Sequence, residues 1–137
     1  MTLRVIVDTS VWLQFLKAGI PSVRTEMNLL RARGEIVMVG VVLAELLQGV
    51  RNQKELEQLA DWFSPLPYLA ETRDTWTRVG RLSYELRRRG AAVSLSDLVI
   101  AVLALEHDAS IFTLDEHFQR IPGLKLHKAV SGGQTKT

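Results

Sequence analysis

SLSDLVIAVLALEHDASIFTLDEHF, residues 94–118, decides the architecture. Ser94 or Ser96 supplies a helix cap, the apolar run that follows carries the helix through His107, and a short break ends it. Residues 110–113 read as a strand, and Asp115 then opens a short helix to Arg120. The unit is helix, turn, strand, acid. Working outward, the same alternation fills the chain. Residues 3–7 suit a buried strand; Asp8, Thr9 and Ser10 bring cap chemistry; and Val11, Trp12, Phe15 and Leu16 recur at helical spacing. A second helix starts at Pro21 and Ser22, with Val23, Met27 and Leu30 inward and Gly34 as its stop. A buried strand at 36–39 precedes helices at 41–50 and 52–63. Residues 65–69 suit a short strand at or near a sheet edge, because proline lacks a donor. The longest helix spans 71–89, closed by Gly90, and a last strand falls at 124–126. Strands alternating with helices predict an α/β fold: a single domain over residues 1–130 with a central, mostly parallel sheet flanked by helices on both faces. Residues 131–137 contain no apolar side chain and read as a polar tail.

Composition agrees. With 137 residues, 47% hydrophobic and 23% charged, the chain is long enough for one compact domain and too short for two ordinary ones. These fractions exclude disorder, collagen and coiled coil as overall descriptions. The longest uncharged apolar stretches, 36–44 and 98–105, fall far below the roughly 18 residues of a spanning helix, so no membrane association is expected. Asp8 interrupts the apolar N-terminus and no small-residue cleavage site follows, so no signal peptide is expected. The absence of cysteine excludes disulfides, thiolate metal sites and cysteine nucleophiles, and fits a reducing, cytoplasmic setting. Net charge is only +2, from 17 basic and 15 acidic residues, but Arg73, Arg78, Arg81, Arg87, Arg88 and Arg89 crowd one region. A basic patch beside acids in apolar surroundings suits the handling of phosphates through metal ions.

Four carboxylates stand out by context. Asp8 directly follows the first strand, Glu45 sits within the helix at 41–50, Asp97 opens the helix to His107, and Asp115 follows the strand at 110–113. In an open α/β sheet, ligands bind beyond the carboxyl ends of the strands, where Asp8 and Asp115 project. Each acid also has a structural reading. Asp8 and Asp115 suit helix caps, Ser94 and Asp97 have capping-box spacing, and Glu45 shares a helical face with Gln48 and Asn52. As a set, crowded carboxylates repel unless a divalent cation relieves them, and oxygen ligands suit Mg²⁺ or Mn²⁺ over zinc. Such ions can activate a water for in-line phosphodiester displacement. Thr9, Ser10 and Thr113 add hydroxyls able to orient a ligand, water or phosphate, or to act as caps.

DTSVWL at 8–13, AELLQG at 44–49 and the stretch at 94–118 together resemble the PIN domain, and within it the VapC-type toxin ribonucleases of type II toxin–antitoxin systems. The likeness covers residues 3 to about 126. It implies that Asp8, Glu45, Asp97 and Asp115 match the family's acidic metal-binding quartet, and Thr113 the hydroxyl before the last acid. It further implies Mg²⁺- or Mn²⁺-dependent endoribonucleolytic cleavage, homodimers and a small VapB-like antitoxin partner. Two departures are Asp108, where the family often has glycine, and the continuation into SGGQTKT.

Other features carry structural readings beside functional ones. Arg87, Arg88 and Arg89 suit either an RNA backbone or a helix C-terminus. Trp12, Phe15, Trp62, Phe63 and Trp76 read as core or interface rather than base-stacking platforms. His107, His117 and His127 share no metal-ligand spacing, and His117 reads as a surface residue near the pocket rim. Surplus apolar residues on the helices between 22 and 63 offer a groove or dimer face. The rival to a nuclease is a non-catalytic RNA- or protein-binding module of the same fold. A receiver-like phosphoacceptor ranks lower, because no acid follows the strand at 36–39 or falls within 65–69.

Overall fold

The structure, a computed structural model, describes residues 3–129; the tail expected at 131–137 lies outside them. Five strands form one sheet in the order β3-β2-β1-β4-β5, every neighbouring pair parallel. β1 is Val5–Val7, β2 Ile36–Val39, β3 Tyr68–Leu69, β4 Ser110–Phe112 and β5 Lys125–Leu126. Between β1 and β2 run α1 (Thr9–Leu16) and α2 (Pro21–Arg33). α3 (Gly40–Gln48) and α4 (Gln53–Phe63) join β2 to β3, and α5 (Arg73–Arg88) and α6 (Leu95–His107) join β3 to β4. A 3-10 helix over Glu116–Arg120 precedes β5. Parallel strands need such crossovers, and helices packed on both faces leave inner strands with no solvent side. Every residue of β1 and β2 is accordingly buried.

The strand order reverses at β1. The chain walks outward from β1 to β2 and β3, then returns across the sheet to lay β4 on the other side of β1. At such a switch point the two neighbouring loops diverge and open a crevice beyond the strand ends. Here the Asp8 amide donates to the Phe112 carbonyl at 2.9 Å, so the last paired residues of β1 and β4 deliver Asp8 and Thr113 side by side.

Several elements are shorter than the sequence pattern predicts, and at β1, β3 and α5 the local reason is plain. β1 begins at Val5, which pairs with Ile36, while Leu3 lies 59% exposed before that register starts. β3 is two residues long because Pro65 and Pro67 cannot donate; the Pro67 carbonyl still accepts from Met38 at 2.8 Å, and β3 sits at the edge. α5 starts at Arg73 rather than Glu71 because Thr72 and Thr75 close a reciprocal capping box. α6 is capped by Ser94 and ends on Asp108 at φ 53°, ψ 43°, a left-handed turn that Asp tolerates better than most residues.

α6 is the central helix, with Leu98 to Ala104 continuously buried. α5 lies antiparallel to it: Thr75, near the start of α5, donates to Glu106 near the end of α6 at 2.9 Å, and Arg78 pairs with the same carboxylate. The aromatics of the first half are core, as expected. Trp12 is fully buried edge-on to Phe15, Trp62 and Phe63, with centroids 6.2, 5.5 and 5.1 Å away. Nothing in the sequence pattern singles out the pair of Glu26, fully buried on α2, and His127 just past β5, which meet at 2.7 Å. Such a pair is invisible in sequence because its members lie 101 positions apart.

Candidate active site

Asp8 ends β1 and caps α1, its Oδ1 accepting the Thr9 amide at 2.8 Å. The capping interpretation is therefore correct and incomplete. Its other oxygen, Oδ2, accepts from the Ser10 hydroxyl at 2.8 Å and from the Thr113 hydroxyl at 2.7 Å. Thr113 in turn accepts the Asp115 amide at 2.9 Å, and Ser10 accepts the Leu114 amide at 3.2 Å. Two hydroxyls thus stitch the segment carrying Asp115 to the carboxylate at the end of β1. Asp115 caps the 3-10 helix through the His117 amide at 2.9 Å.

Asp97 arrives from a third element, the first turn of α6. Ser94 accepts the Asp97 amide at 3.2 Å. Burial, and then the charges of Asp8 and Asp115, hold the Asp97 carboxyl above its ordinary value, against opposing pulls from Ser94 and His117. The three aspartates form one electrostatic unit. Asp97, Asp115 and His117 present ligand atoms that all lie within 4.8 Å of one another. Two carboxylates and an imidazole at this spacing, with one carboxyl disfavoured in its charged form, fit a divalent cation that accepts mixed oxygen and nitrogen donors.

Two placements differ in kind from the rest. Glu45, on α3, joins through Thr9, whose hydroxyl donates to it at 2.6 Å, and like Asp8 it is absent from the tight ligand group. It also lines a cavity of about 830 Å³ walled by Leu13, Leu16, Leu46, Leu59 and Trp62. His117, by contrast, lies inside the ligand group, with Nδ1 3.2 Å from Asp115. It is surface-exposed, as the sequence pattern predicts, yet it also faces the acids. The only sequence signal was its position two residues past Asp115, where the tight 3-10 turn folds it back.

The PIN domain family model matches residues 5–124. This chain belongs to the PIN domain family. Ribonuclease VapC2 of Rickettsia felis is 29% identical to this PIN domain over 126 residues, 88% of this chain and 94% of that protein. Ribonuclease VapC11 of Mycobacterium tuberculosis is 27% identical over 131 residues, 93% and 98% of the two chains. A crystal structure of VapBC2 from Rickettsia felis, bound to a DNA fragment from its promoter, superposes with a TM-score of 0.75 at 28% identity, covering 91% of this chain and 98% of that one. Among the described residues of the PIN domain, no helix is long and apolar enough to cross a membrane.

Two predictions follow from these contacts. Thr113→Val keeps the shape of the side chain but deletes the donor to Asp8 and the acceptor for the Asp115 amide. Losing such an orienting contact is expected to weaken Mn²⁺ binding by about 10–100-fold, measured by calorimetry, while Thr113→Ser stays near wild type. Equal affinity in the valine variant would show that the hydroxyl does not align the acids.

Asp97→Asn has a signed pH signature in the metal-free protein. A carboxyl raised in the folded state stabilises the fold fully below its ordinary value of 3.8, and loses that contribution as pH rises through the raised value. At neutral pH the charged Asp97 is a burden that asparagine removes. The variant is therefore expected to melt above wild type at pH 7.5, with the gap closing toward pH 4. A gap that widens on acidification would contradict the electrostatic assignment.

Proposed function

We propose that this chain is a Mg²⁺-dependent endoribonuclease, able also to use Mn²⁺, and the toxin of a toxin–antitoxin pair acting in the cytoplasm. The observation that carries the reading is the Thr113–Asp8 hydrogen bond at 2.7 Å, which gathers the acids at the end of β1 and after β4 beside Asp97. The names of the relatives support it, since both are ribonucleases of the VapC kind aligned over nearly their full length.

Asp97 and Asp115, with His117 among their ligand atoms, would hold the cation together with the nearby charge of Asp8, and Glu45, positioned by Thr9, would orient a second ion or a water. A divalent ion bound there supplies positive charge to phosphate oxygens and eases deprotonation of a water. The chain's own groups keep that chemistry in register. Ser10 and Thr113 fix the Asp8 carboxylate, so it need not reorganise when charge develops. Separation of the acids over three elements also makes the pocket sensitive to sheet order rather than to any one loop.

The partner follows from the apolar cavity beside Glu45. It suits a small VapB-like antitoxin, the kind of partner present in the VapBC complex of Rickettsia felis. Exposed Trp76 and Tyr84 on α5, with Leu105 on α6, support a homodimer face.

The test is cleavage of a mixed pool of structured RNAs by purified, antitoxin-free protein with Mg²⁺, with Mn²⁺ and with EDTA. Cuts that depend on metal are expected, and their mapped positions identify the substrate. Folded, metal-loaded protein that cuts no RNA would favour the non-catalytic binding module.

A further inference from the structure

The ribonuclease reading leaves unexplained the arginines at the end of α5. Because α5 and α6 are antiparallel, fixed by the Thr75–Glu106 hydrogen bond at their far ends, the C-terminus of α5 lies level with the first turn of α6. Arg87 and Arg89 therefore stand on the same edge of the domain as Asp97. The 3-10 helix reaches this place independently: Arg120 Nη1 donates to the Ala92 carbonyl at 3.2 Å, in the loop between α5 and α6. From Asp115 a surface path thus runs along the 3-10 helix to Arg120, over the loop at 90–93, to the end of α5.

The cations on that path are free to bind. Arg87, Arg89 and Arg120 are exposed, and none pairs with a carboxylate among the described residues. Three other basic side chains are engaged: Arg51 with Glu55, Arg78 with Glu106 and Lys125 with Asp108. Arg88 folds back onto Tyr84, donating to its hydroxyl at 3.2 Å. One carbonyl contact leaves Arg120 with most of its five N–H donors unused. Guanidinium groups in this state are suited to phosphate oxygens, which they grip bidentately. Favourable placement at a helix C-terminus accounts for arginines on α5, but not for Arg120 converging on the same loop from another element.

We infer that Arg87, Arg89 and Arg120 form a strip that carries the sugar–phosphate backbone of the RNA away from the acidic site on one side of the scissile bond. This inference rests on the ribonuclease reading and assigns a path for its substrate. The strip is sequence-blind, since it meets phosphates only, and it rewards length: an RNA must extend past the acidic site to reach it.

The experiment compares wild type with the double variant Arg87→Gln/Arg89→Gln and with Arg120→Gln. The probe is a fluorescent single-stranded RNA of about 12 nucleotides, within the span that such tracks cover. Affinity is measured across a salt series, with calcium in place of the catalytic ion. Each lost phosphate contact is expected to flatten the salt slope by about 0.7, so by about 1.4 in the double variant. In cleavage, KM for the long RNA should rise with kcat unchanged, and a dinucleotide substrate should not distinguish the double variant from wild type. Mn²⁺ affinity should also be unchanged in the double variant. Wild type that binds and cuts the RNA, with variants equal to it in slope and KM, overturns the strip alone. A double variant that loses kcat on the dinucleotide as well overturns it in favour of a structural role. Wild type that neither binds nor cuts overturns the ribonuclease reading and the strip with it.

Discussion

Asp8→Asn is expected to reduce RNA cleavage by more than about 100-fold, beyond the roughly 10–100-fold typical of outer-shell losses around a metal. Asparagine nearly matches aspartate in shape, and its carbonyl can still accept from the Thr9 amide, as Oδ1 does now at 2.8 Å. What it cannot do is accept from Ser10 and Thr113 on its amide side, where Oδ2 now takes both hydroxyls. The substitution therefore removes one charge from the acidic unit and turns the stitch between β1 and β4 from an acceptor into a donor. The fold should persist, because β1 itself and the apolar face of α1 are untouched. Circular dichroism close to wild type, with cleavage lost and Mn²⁺ binding weakened, is the expected pattern. A variant that still cuts within about fivefold of wild type would remove Asp8 from the catalytic set.

Trp12→Ala is the substitution with the largest expected effect on stability, about 3–5 kcal/mol by analogy with other buried Trp and Phe truncations. Trp12 has no exposed surface and meets three aromatic rings edge-on, so alanine leaves a cavity walled by rigid rings that cannot collapse into it. Against a total of about 5–15 kcal/mol for an ordinary domain, this puts the fold near its limit at physiological temperature. Trp12→Phe provides the contrast. The indole Nε1 is buried with no hydrogen-bond partner among the described residues, a burden worth about 1–3 kcal/mol that phenylalanine does not carry. Phenylalanine should therefore cost much less than alanine in denaturant titrations. An alanine variant within about 1 kcal/mol of wild type would mean that the aromatic cluster reorganises freely, contrary to its packing. The cluster also sets the active site, since α1, which it clamps against α4, carries Thr9 and Ser10 at its first turn.

The sequence made the elements legible where burial is local. β2 and α6 read directly from apolar runs, while α4, read over 52–63, starts at Gln53 because the Asn52 side chain caps it through the Glu55 amide at 2.9 Å. The short strands were legible as positions, though their lengths were set by partners: Leu3 drops out of β1 because no neighbour pairs with it. Asp108, which stands where the family often has glycine, takes the left-handed conformation at φ 53°. The acids were visible as a group because three of them sit where strands end or helices begin. Their hydrogen bonds were not. His117, set aside as a surface residue, faces the acids, and the buried Glu26–His127 pair had no local signal at all.

By itself, then, the sequence determined the alternation of strand and helix, the family likeness and the four acids, since periodicity, caps and turn chemistry act within a few residues. The tertiary structure alone decided which of those residues meet. The Asp8–Thr113 bond joins positions 105 apart, and it exists because the sheet reverses at β1 and lays β4 beside it. Strand order follows from how long crossovers pack across a sheet, a balance of distant apolar surfaces that no local window contains. The same physics draws Asp97 in from α6 and leaves Glu45 one hydroxyl away, linked through Thr9.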